Sequence, residues 1–219
     1  MIKFPDNSQR ITIIGRTGSG KTHAALWHLS IRNLKNLSWI ILNTKGSNFF
    51  DKIKRIKKIN FDSHIKENGI YIIEPYPEQK EELNKFLLNV WRQGNCGLFI
   101  DEAADIGTLP AYERILRQGR ERIIPVIQCT QRPVDVSHSA FTEAEFFQIF
   151  YIKDERDQKT ISFFAPLEKQ DWQKMARGRQ SYYYNVLDDQ VNLIQPLPDK
   201  KTILNRINMQ LQENYFNIL

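Results

Sequence analysis

The chain has 219 residues, 41% of them hydrophobic and 26% charged, a composition typical of a globular protein and sufficient for one domain with a sizeable core. No run approaches the ~20 apolar residues of a membrane-spanning helix, and residues 1–6 lack the apolar segment of a secretion signal. We therefore expect no membrane span and a place in the cytoplasm. The formal net charge of +6 is compatible with a nucleic acid partner but does not establish one.

Short apolar runs alternate with stretches of helical spacing through the first two thirds of the chain. The apolar runs predict buried strands over residues 11–14, 39–42, 70–73, 97–100, 123–129 and 146–152, the last with some character of an edge strand. Apolar residues at helical spacing predict helices over residues 21–36 and 78–92. This alternation indicates an α/β fold with a mostly parallel central sheet flanked by helices.

The pattern changes after residue 165. Residues 180–186 and 191–197 flank Asp188-Asp189 and predict a β-hairpin at the margin of the sheet. Residues 199–219 predict a C-terminal amphipathic helix, which packs either within the chain or against a neighbouring subunit. We expect one domain over residues 1–219, with a core over about 10–165 and a C-terminal hairpin and helix over about 166–219.

Two cysteines, Cys96 and Cys129, fall near the start of one predicted strand and the end of the next. If these strands are parallel neighbours, the two thiols lie at opposite ends of the sheet, beyond the ~7 Å Cα separation that a disulfide allows. We expect both cysteines to be reduced and to act as small apolar residues.

Residues 15–22 match the phosphate-binding pattern G-x-x-x-x-G-K-[ST] at every fixed position, between a predicted strand and a predicted helix. Such glycines let backbone N–H groups converge on the phosphates of ATP, and the helix N-terminus adds partial positive charge. We expect Lys21 to reach the β- and γ-phosphates and the Thr22 hydroxyl to coordinate Mg²⁺. The candidate nucleotide-binding residues are Gly15, Arg16, Thr17, Gly18, Ser19, Gly20, Lys21 and Thr22.

Asp101 and Glu102 follow the predicted strand 97–100, at the edge where open α/β sheets bind ligands. We expect Asp101 to hold Mg²⁺ through water, and Glu102 to orient and deprotonate the water that attacks the γ-phosphate. A helix N-cap is the alternative role for an acidic pair after a strand. A second acid directed at water favours hydrolysis over phosphate transfer by a kinase.

The segment Thr130-Gln131-Arg132-Pro133 follows the next predicted strand. With the P-loop and Asp101-Glu102-Ala103 in this order, the chain resembles the FtsK/HerA superfamily of DNA-pumping ATPases over about residues 10–165, which implies a RecA-like fold of the ASCE class of P-loop NTPases. The resemblance implies that Gln131 senses the γ-phosphate, for which its neutral amide can donate and accept together. A capped turn ahead of the proline is the alternative. Residues 43–46 are a more distant similarity, because relatives often have an acid and a proline where Asn and Thr stand here, and we assign this loop no role.

An arginine-rich segment, residues 114–122, precedes the strand that leads to Gln131. Relatives carry a similar stretch, from which an arginine can reach the nucleotide of a neighbouring subunit and stabilise charge on the γ-phosphate. Arg117 and Arg120 are the candidates, and the resemblance implies a homo-oligomeric ring, either a hexamer or a pentamer. A solvated basic helix face is the alternative.

A basic run over residues 52–58 is the candidate DNA-binding segment. Its cations Lys54, Arg55, Lys57 and Lys58 could contact phosphates in a central pore, where positive charge alone is sufficient. Ile53, Ile56 and Ile59 share one face of a helix, so a solvated amphipathic helix is an equal alternative.

FtsK proteins carry membrane segments and a DNA-reading winged helix, and HerA carries an added barrel domain, for which this chain has no room. Its size resembles the genome-packaging ATPases of tailless icosahedral viruses with an internal membrane. That resemblance implies an ATP-driven translocase that moves double-stranded DNA into a preformed capsid. It also implies partner proteins at the portal vertex and a location in the host cytoplasm or at the packaging vertex of the virion. The alternatives are a phage morphogenesis or secretion ATPase of the zonula-occludens-toxin type, which usually has a membrane segment, and a nucleotide-gated switch without DNA translocation.

Overall fold

Nine strands form one mostly parallel sheet in a computed structural model of the chain, which describes residues 2–65, 67–177, 180–194 and 196–216. The strands are β1 (Ile11–Ile14), β2 (Ser38–Leu42), β3 (Lys57–Lys58), β4 (Ile70–Ile73), β5 (Cys96–Ile100), β6 (Val126–Thr130), β7 (Phe146–Ile149), β8 (Ser181–Asn185) and β9 (Gln190–Ile194). Their order across the sheet is β3-β4-β2-β5-β6-β1-β7-β8-β9. Strands β1 to β7 are parallel, and β8 and β9 extend the sheet as an antiparallel hairpin.

Helices cover both faces of the sheet. They are α1 (Lys21–Ser30), α2 (Lys80–Gln93), α3 (Ala103–Ile106), α4 (Pro110–Gln118), α5 (Ser139–Thr142), α6 (Glu155–Ser162), α7 (Lys169–Arg177) and α8 (Lys200–Phe216). Single 3-10 turns occur at Phe50–Lys52, Arg120–Arg122 and Pro133–Asp135. No helix within the described ranges is long and apolar enough to cross a membrane.

Alternate residues of the central strands supply the two sides of the core, because side chains of a strand point to opposite faces. On β2, Trp39 and Ile41 pack with α1 and α8. Ile40 and Leu42 pack with α2, α3 and α4 on the other face. A third cluster joins β7 and β8 to α6 and α7. Strands buried on both faces read as continuous apolar runs, which is why they were predictable.

The C-terminal predictions are confirmed. Strands β8 and β9 form the hairpin around Asp188-Asp189, and α8 packs within the chain against α1. The Gln210 side chain donates to the Ser30 carbonyl oxygen at 2.8 Å and accepts from the Leu34 N–H at 3.0 Å, so polar bonds also fix this contact. Residues 217–219 of the predicted helix lie outside the described residues.

Both cysteines are reduced and buried, as predicted. Cys96 begins β5, and Cys129 lies near the end of the neighbouring strand β6.

The structure contradicts the edge character predicted for residues 146–152 and the helix that was the alternative for residues 52–58. Strand β7 has no edge character, because it pairs with β1 on one side and β8 on the other and is buried throughout. Residues 52–58 do not form an amphipathic helix: they leave a 3-10 turn and enter the two-residue edge strand β3. Arg55 has a φ of 65°, a left-handed conformation that interrupts a right-handed helix, and Ile53 is buried.

Candidate nucleotide site

The P-loop connects β1 to α1 and presents backbone N–H groups at the carboxyl edge of the sheet. Gly18 and Gly20 have φ values of 75° and 99°, which a residue with a side chain rarely adopts. Gly20 is the N-cap of α1 and no side chain caps it. The N–H groups in the first turn of α1 therefore lack an intrahelical acceptor and are available to an anion.

Gly15 is required by close packing rather than by its dihedral angles. A Cβ atom at this position would lie 2.7 Å from the Phe150 Cβ and 2.7 Å from the Ser19 Oγ. Its N–H donates to the carbonyl oxygen of Thr130 at 3.2 Å, so the start of the P-loop is tied to the end of β6.

Lys21, the first residue of α1, has only 5% of its surface exposed. Its Nζ donates to the Arg16 carbonyl oxygen at 3.0 Å, which curls the side chain back over the P-loop. Burial lowers the pKa of Lys21, and the charge of nearby Lys45 acts in the same direction. The nearby acids Glu102 and Asp101 offset burial only in part, and a bound phosphate would add negative charge beside this ammonium.

Thr22 and Asp101 meet where Mg²⁺ is expected. The Thr22 hydroxyl donates to Asp101 Oδ1 at 2.9 Å, and the aspartate is 1% exposed. A hydroxyl and a carboxylate are the hard oxygen donors that Mg²⁺ prefers, and an ion that keeps several waters needs few protein ligands. The two residues therefore fit the ion.

Glu102 lies between the P-loop and the segment after β6. Its Oε1 accepts from the Gln131 N–H at 3.1 Å, while the Gln131 Oε1 accepts a short hydrogen bond from the Thr17 hydroxyl. Glu102 occupies the N-cap position of α3, but its side chain makes no capping hydrogen bond. This geometry favours a role at the nucleotide over a role as a helix cap.

Lys45 is a site residue that the sequence did not reveal. Its Nζ lies 3.0 Å from Glu102 Oε2 and donates to the Asp101 carbonyl oxygen at 3.3 Å. Burial alone would lower the pKa of Lys45, but the carboxylates of Asp101 and Glu102 outweigh burial and raise it. The available signal was topological: β2 is the neighbour of β5, so the loop after β2 must meet the acids after β5.

The candidate arginines lie apart from this site. Arg120 is exposed at the start of the turn Arg120–Arg122, and the Arg122 carbonyl oxygen accepts from the Asn95 N–H at 2.7 Å, just before β5. Asp101 lies at the far end of β5, roughly 17 Å away for five residues of strand. Arg117 ends α4, where it donates to the Ser139 Oγ at 3.0 Å and pairs with Glu113 at 3.5 Å.

Two cations of the basic run also have partners within the chain. The Arg55 guanidinium donates to the Leu211 carbonyl oxygen at 3.2 Å, and Lys57 pairs with Glu67 at 2.6 Å. All four candidate cations are exposed, and two of them, Arg55 and Lys57, also hold contacts within the chain.

A cavity of about 380 Å³ opens beside the P-loop on the β7 side. Phe150, Tyr151 and Met175 line its wall, and the Arg16 guanidinium lies 6.0 Å from the centre of the Tyr151 ring. Most of the exposed lining is polar, and an aromatic side chain next to the phosphate loop suits a heterocyclic ring that carries polar groups.

The chain is similar to known proteins along most of its length. The chain is 34% identical to the DNA packaging ATPase P9 of Enterobacteria phage PRD1 over 95% of this chain and 96% of P9. Its fold is similar to the genome packaging NTPase B204 of Sulfolobus turreted icosahedral virus 2 in complex with AMPPCP, with a TM-score of 0.70 and 19% identity over 88% of this chain and all of B204. The N-terminal domain of zonular occludens toxin from Neisseria meningitidis is also similar, with a TM-score of 0.52 and 14% identity over 90% of this chain and 97% of that domain.

No protein-family model matches the chain. The 34% identity to P9 spans nearly the full length of both proteins, and the P-loop, the acids after β5 and the glutamine after β6 converge at one edge of a RecA-like sheet. The chain belongs to the family of viral DNA-packaging ATPases that includes P9.

Proposed function

We propose that this chain hydrolyses ATP in order to move double-stranded DNA into a preformed viral capsid. The supporting observation is that the P-loop, the acids after β5 and the glutamine segment after β6 meet at one site. They are joined by the Thr22–Asp101 and Glu102–Gln131 hydrogen bonds. They place groups for phosphate, metal and water chemistry together in a relative of a protein named a DNA packaging ATPase. Residues with that chemistry at a sheet's carboxyl edge suit hydrolysis of a nucleoside triphosphate.

Each residue has a separate task in this mechanism. The P-loop N–H groups and Lys21 bind the phosphates, and Thr22 and Asp101 would hold Mg²⁺, which would supply positive charge to the phosphate oxygens. Glu102 takes a proton from the attacking water as the water oxygen bonds to the γ-phosphorus and the bond to the β-phosphate breaks. The Glu102 carboxylate keeps lone pairs for this proton, because it has about four acceptor sites while Oε1 accepts from the Gln131 N–H and Oε2 faces Lys45.

Gln131 is suited to report the state of the γ-phosphate. Its backbone N–H donates to Glu102, and its side chain accepts from Thr17 of the P-loop. Gln131 therefore contacts both the proposed base and the phosphate-binding loop. Release of the γ-phosphate would remove an acceptor beside the Gln131 side-chain amide and so change the hydrogen bonds of that amide. The position of the segment Pro133–Asp135, which follows Gln131, would change with them.

The nucleoside end of ATP enters the cavity beside Tyr151 and Met175, on the opposite side of the P-loop from Asp101. An aromatic ring there can stack on the base. Tyr151→Ala should raise the KM for ATP and leave kcat nearly unchanged, because the interaction is equal in the ground and transition states.

In a ring of subunits, an arginine of one subunit can act at the nucleotide of the next. Arg120 lies about the length of a strand from Asp101 of its own chain, so it would reach the γ-phosphate of a neighbouring subunit rather than its own. We propose a hexameric or pentameric ring that surrounds DNA at the packaging vertex and contacts proteins of the capsid portal. Arg117 and Arg120 are the candidate residues at the boundary between subunits.

The deciding experiment measures ATP turnover by the assembled protein with and without double-stranded DNA. We expect stimulation by duplexes of unrelated sequence, and an affinity that falls with salt by roughly 0.9 log units per log unit of salt for each phosphate contacted. A motor grips every sequence, so it must contact phosphates rather than base edges. Tight ATP binding with no turnover would instead indicate a nucleotide-gated switch, and turnover without a response to DNA would favour a morphogenesis or secretion ATPase.

A further inference from the structure

Lys45 lies against both acids of the site without belonging to the P-loop, the acidic pair or the glutamine segment. We propose that Lys45 is a positioning residue that holds the Glu102 carboxylate where it accepts the proton of the attacking water. The proposal rests on the proposed role of Glu102 as the base. It predicts a loss of turnover, not of ATP binding, when Lys45 is removed.

The loop that carries Lys45 is built to hold it in place. Asn43 is almost fully buried, and its side chain donates to the Ser47 carbonyl oxygen at 3.2 Å and to Glu74 at 3.0 Å. It also accepts from the Ser47 N–H at 2.9 Å, and Gly46 turns the chain with a φ of 58°. These bonds brace the loop on both sides of Lys45, so its Nζ approaches the acids from a fixed backbone.

The two oxygens of Glu102 have different partners. Oε1 accepts a hydrogen bond from the Gln131 N–H at 3.1 Å, and Oε2 faces Lys45, whose Nζ lies 3.0 Å away in a charge-assisted contact. The same Nζ donates to the Asp101 carbonyl oxygen at 3.3 Å. Each carboxylate oxygen has two lone pairs, so Lys45 can fix the position of Oε2 and leave a second lone pair for the proton of water.

Lys21, and not Lys45, is the lysine that we expect to bind the phosphates. Lys21 belongs to the P-loop and bends over it to the Arg16 carbonyl oxygen, whereas Lys45 reaches the backbone and side chain of the acids after β5. Without Lys45, one hydrogen bond from Gln131 would remain to hold the base. Displacement of a catalytic group by about 1 Å can reduce a rate by roughly 10²-fold.

The test is a double-mutant cycle on Lys45 and Glu102, with mant-ATP binding and single-turnover hydrolysis of radiolabelled ATP as separate readouts. Lys45→Ala and Lys45→Met, which keeps the aliphatic stem, should bind mant-ATP within about twofold of wild type and lose roughly 10- to 100-fold in rate. Lys45→Arg should recover part of the rate. Lys85→Ala on the exposed side of α2 is the matched control and should behave as wild type.

In the Glu102→Gln protein, Lys45→Ala should cause no further loss, because a residue that acts through the base has no effect once the base is absent. An additional loss in that background, or a tenfold weaker mant-ATP affinity with the rate retained, would overturn the proposal and make Lys45 a direct phosphate ligand. Wild-type rates in Lys45→Ala with an inactive Glu102→Gln would reject the Lys45 role alone. Wild-type rates in Glu102→Gln would reject the base and the Lys45 role together.

Discussion

Trp39 on β2 lies directly opposite Gly97 on β5, and its indole occupies the space that a side chain at Gly97 would need. A Cβ atom at Gly97 would lie 2.5 to 2.7 Å from three atoms of the ring, and the tryptophan is fully buried. Contacts this short are sterically forbidden, and because the core is close-packed, a Cβ atom at Gly97 would fit only if a strand moved.

Gly97→Ala should therefore lower the free energy of unfolding by about 1–3 kcal/mol, the usual cost of overpacking. Urea unfolding measures this loss. Gly69→Ala is the matched control, because the nearest atom to its added Cβ would be 4.0 Å away. Equal stability of the two variants would show that β2 and β5 do not pair in this register.

His28 makes stability depend on pH. It is fully buried on α1, where its Nε2 lies 2.8 Å from Gln148 Oε1, and burial lowers its pKa to about 3. Between that value and about 6.5 the unfolded chain binds a proton that the folded protein excludes. Stability should consequently fall as the pH drops below about 6.5, by up to about 1.4 kcal/mol per pH unit.

The measurement compares urea unfolding at pH 7.5 and pH 5 in the wild type, His28→Asn and His64→Asn, the last in an exposed loop. The difference between the two pH values should shrink in His28→Asn and stay at the wild-type size in His64→Asn. Using the difference removes any loss of stability that is common to both pH values. An unchanged difference in His28→Asn would rule out this histidine as the source.

Lys21 and Glu102 should separate binding from turnover. Lys21→Ala removes a charged donor to the phosphates and should weaken ATP binding by about 10- to 100-fold. Glu102→Gln keeps the shape of the side chain and should bind ATP normally, while its turnover falls by roughly 10²- to 10⁴-fold. Fluorescent nucleotide binding and phosphate release measure the two quantities, and normal turnover in Glu102→Gln would contradict the assignment of the base.

An arginine that acts across a subunit boundary should show complementation. Glu102→Gln and Arg120→Ala should each be inactive alone, and a mixture of the two should recover turnover at the interfaces that combine an intact acid with an intact arginine. Arg117→Ala is tested in the same way. Arg206→Ala, on an exposed position of α8, should stay active. Linear dependence of turnover on protein concentration, together with no recovery for either arginine, would rule out shared sites.

Two exposed lysines allow a clean test of the basic run. Lys54→Glu with Lys58→Glu reverses charge without removing the bonds that Arg55 and Lys57 make to the rest of the chain. If the run faces DNA, this double variant should weaken binding at low salt and reduce the salt slope by about one unit for each DNA phosphate that is no longer neutralised. Lys85→Glu with Lys201→Glu has the same net charge and should bind as wild type if the location of the charge matters.

The sequence was sufficient where a local pattern determines structure. Ile11–Ile14 is apolar and followed by a P-loop, so both the strand and its helix could be predicted, although α1 ends at Ser30 and not at residue 36. The side chains at Thr22 and Asp101 were predicted to share a metal, and the structure brings them within 2.9 Å. Their role in catalysis stays a prediction.

Longer-range relationships were missed. Nothing within Phe146–Ile149 indicates that Tyr184 will pair with Phe147 and cover the outer side of β7. The spacing of the isoleucines after Lys52 fits a helix as well as an irregular segment whose Ile53 enters the core. The contact between Lys45 and Glu102 depends on which strands are neighbours, and local periodicity does not carry that information.

Residues from the N-terminal and the C-terminal part of the chain contact α1, the helix that begins at the P-loop. The His23 Nε2, in the first turn of α1, lies 2.8 Å from the Pro198 carbonyl oxygen, and α8 packs along the same helix. Near the other terminus, Phe4 meets Trp27 edge to face at 4.7 Å. The helix whose N-terminus closes the P-loop is therefore packed by residues that lie far apart in the chain, and a shift of either would be felt first at the phosphate loop.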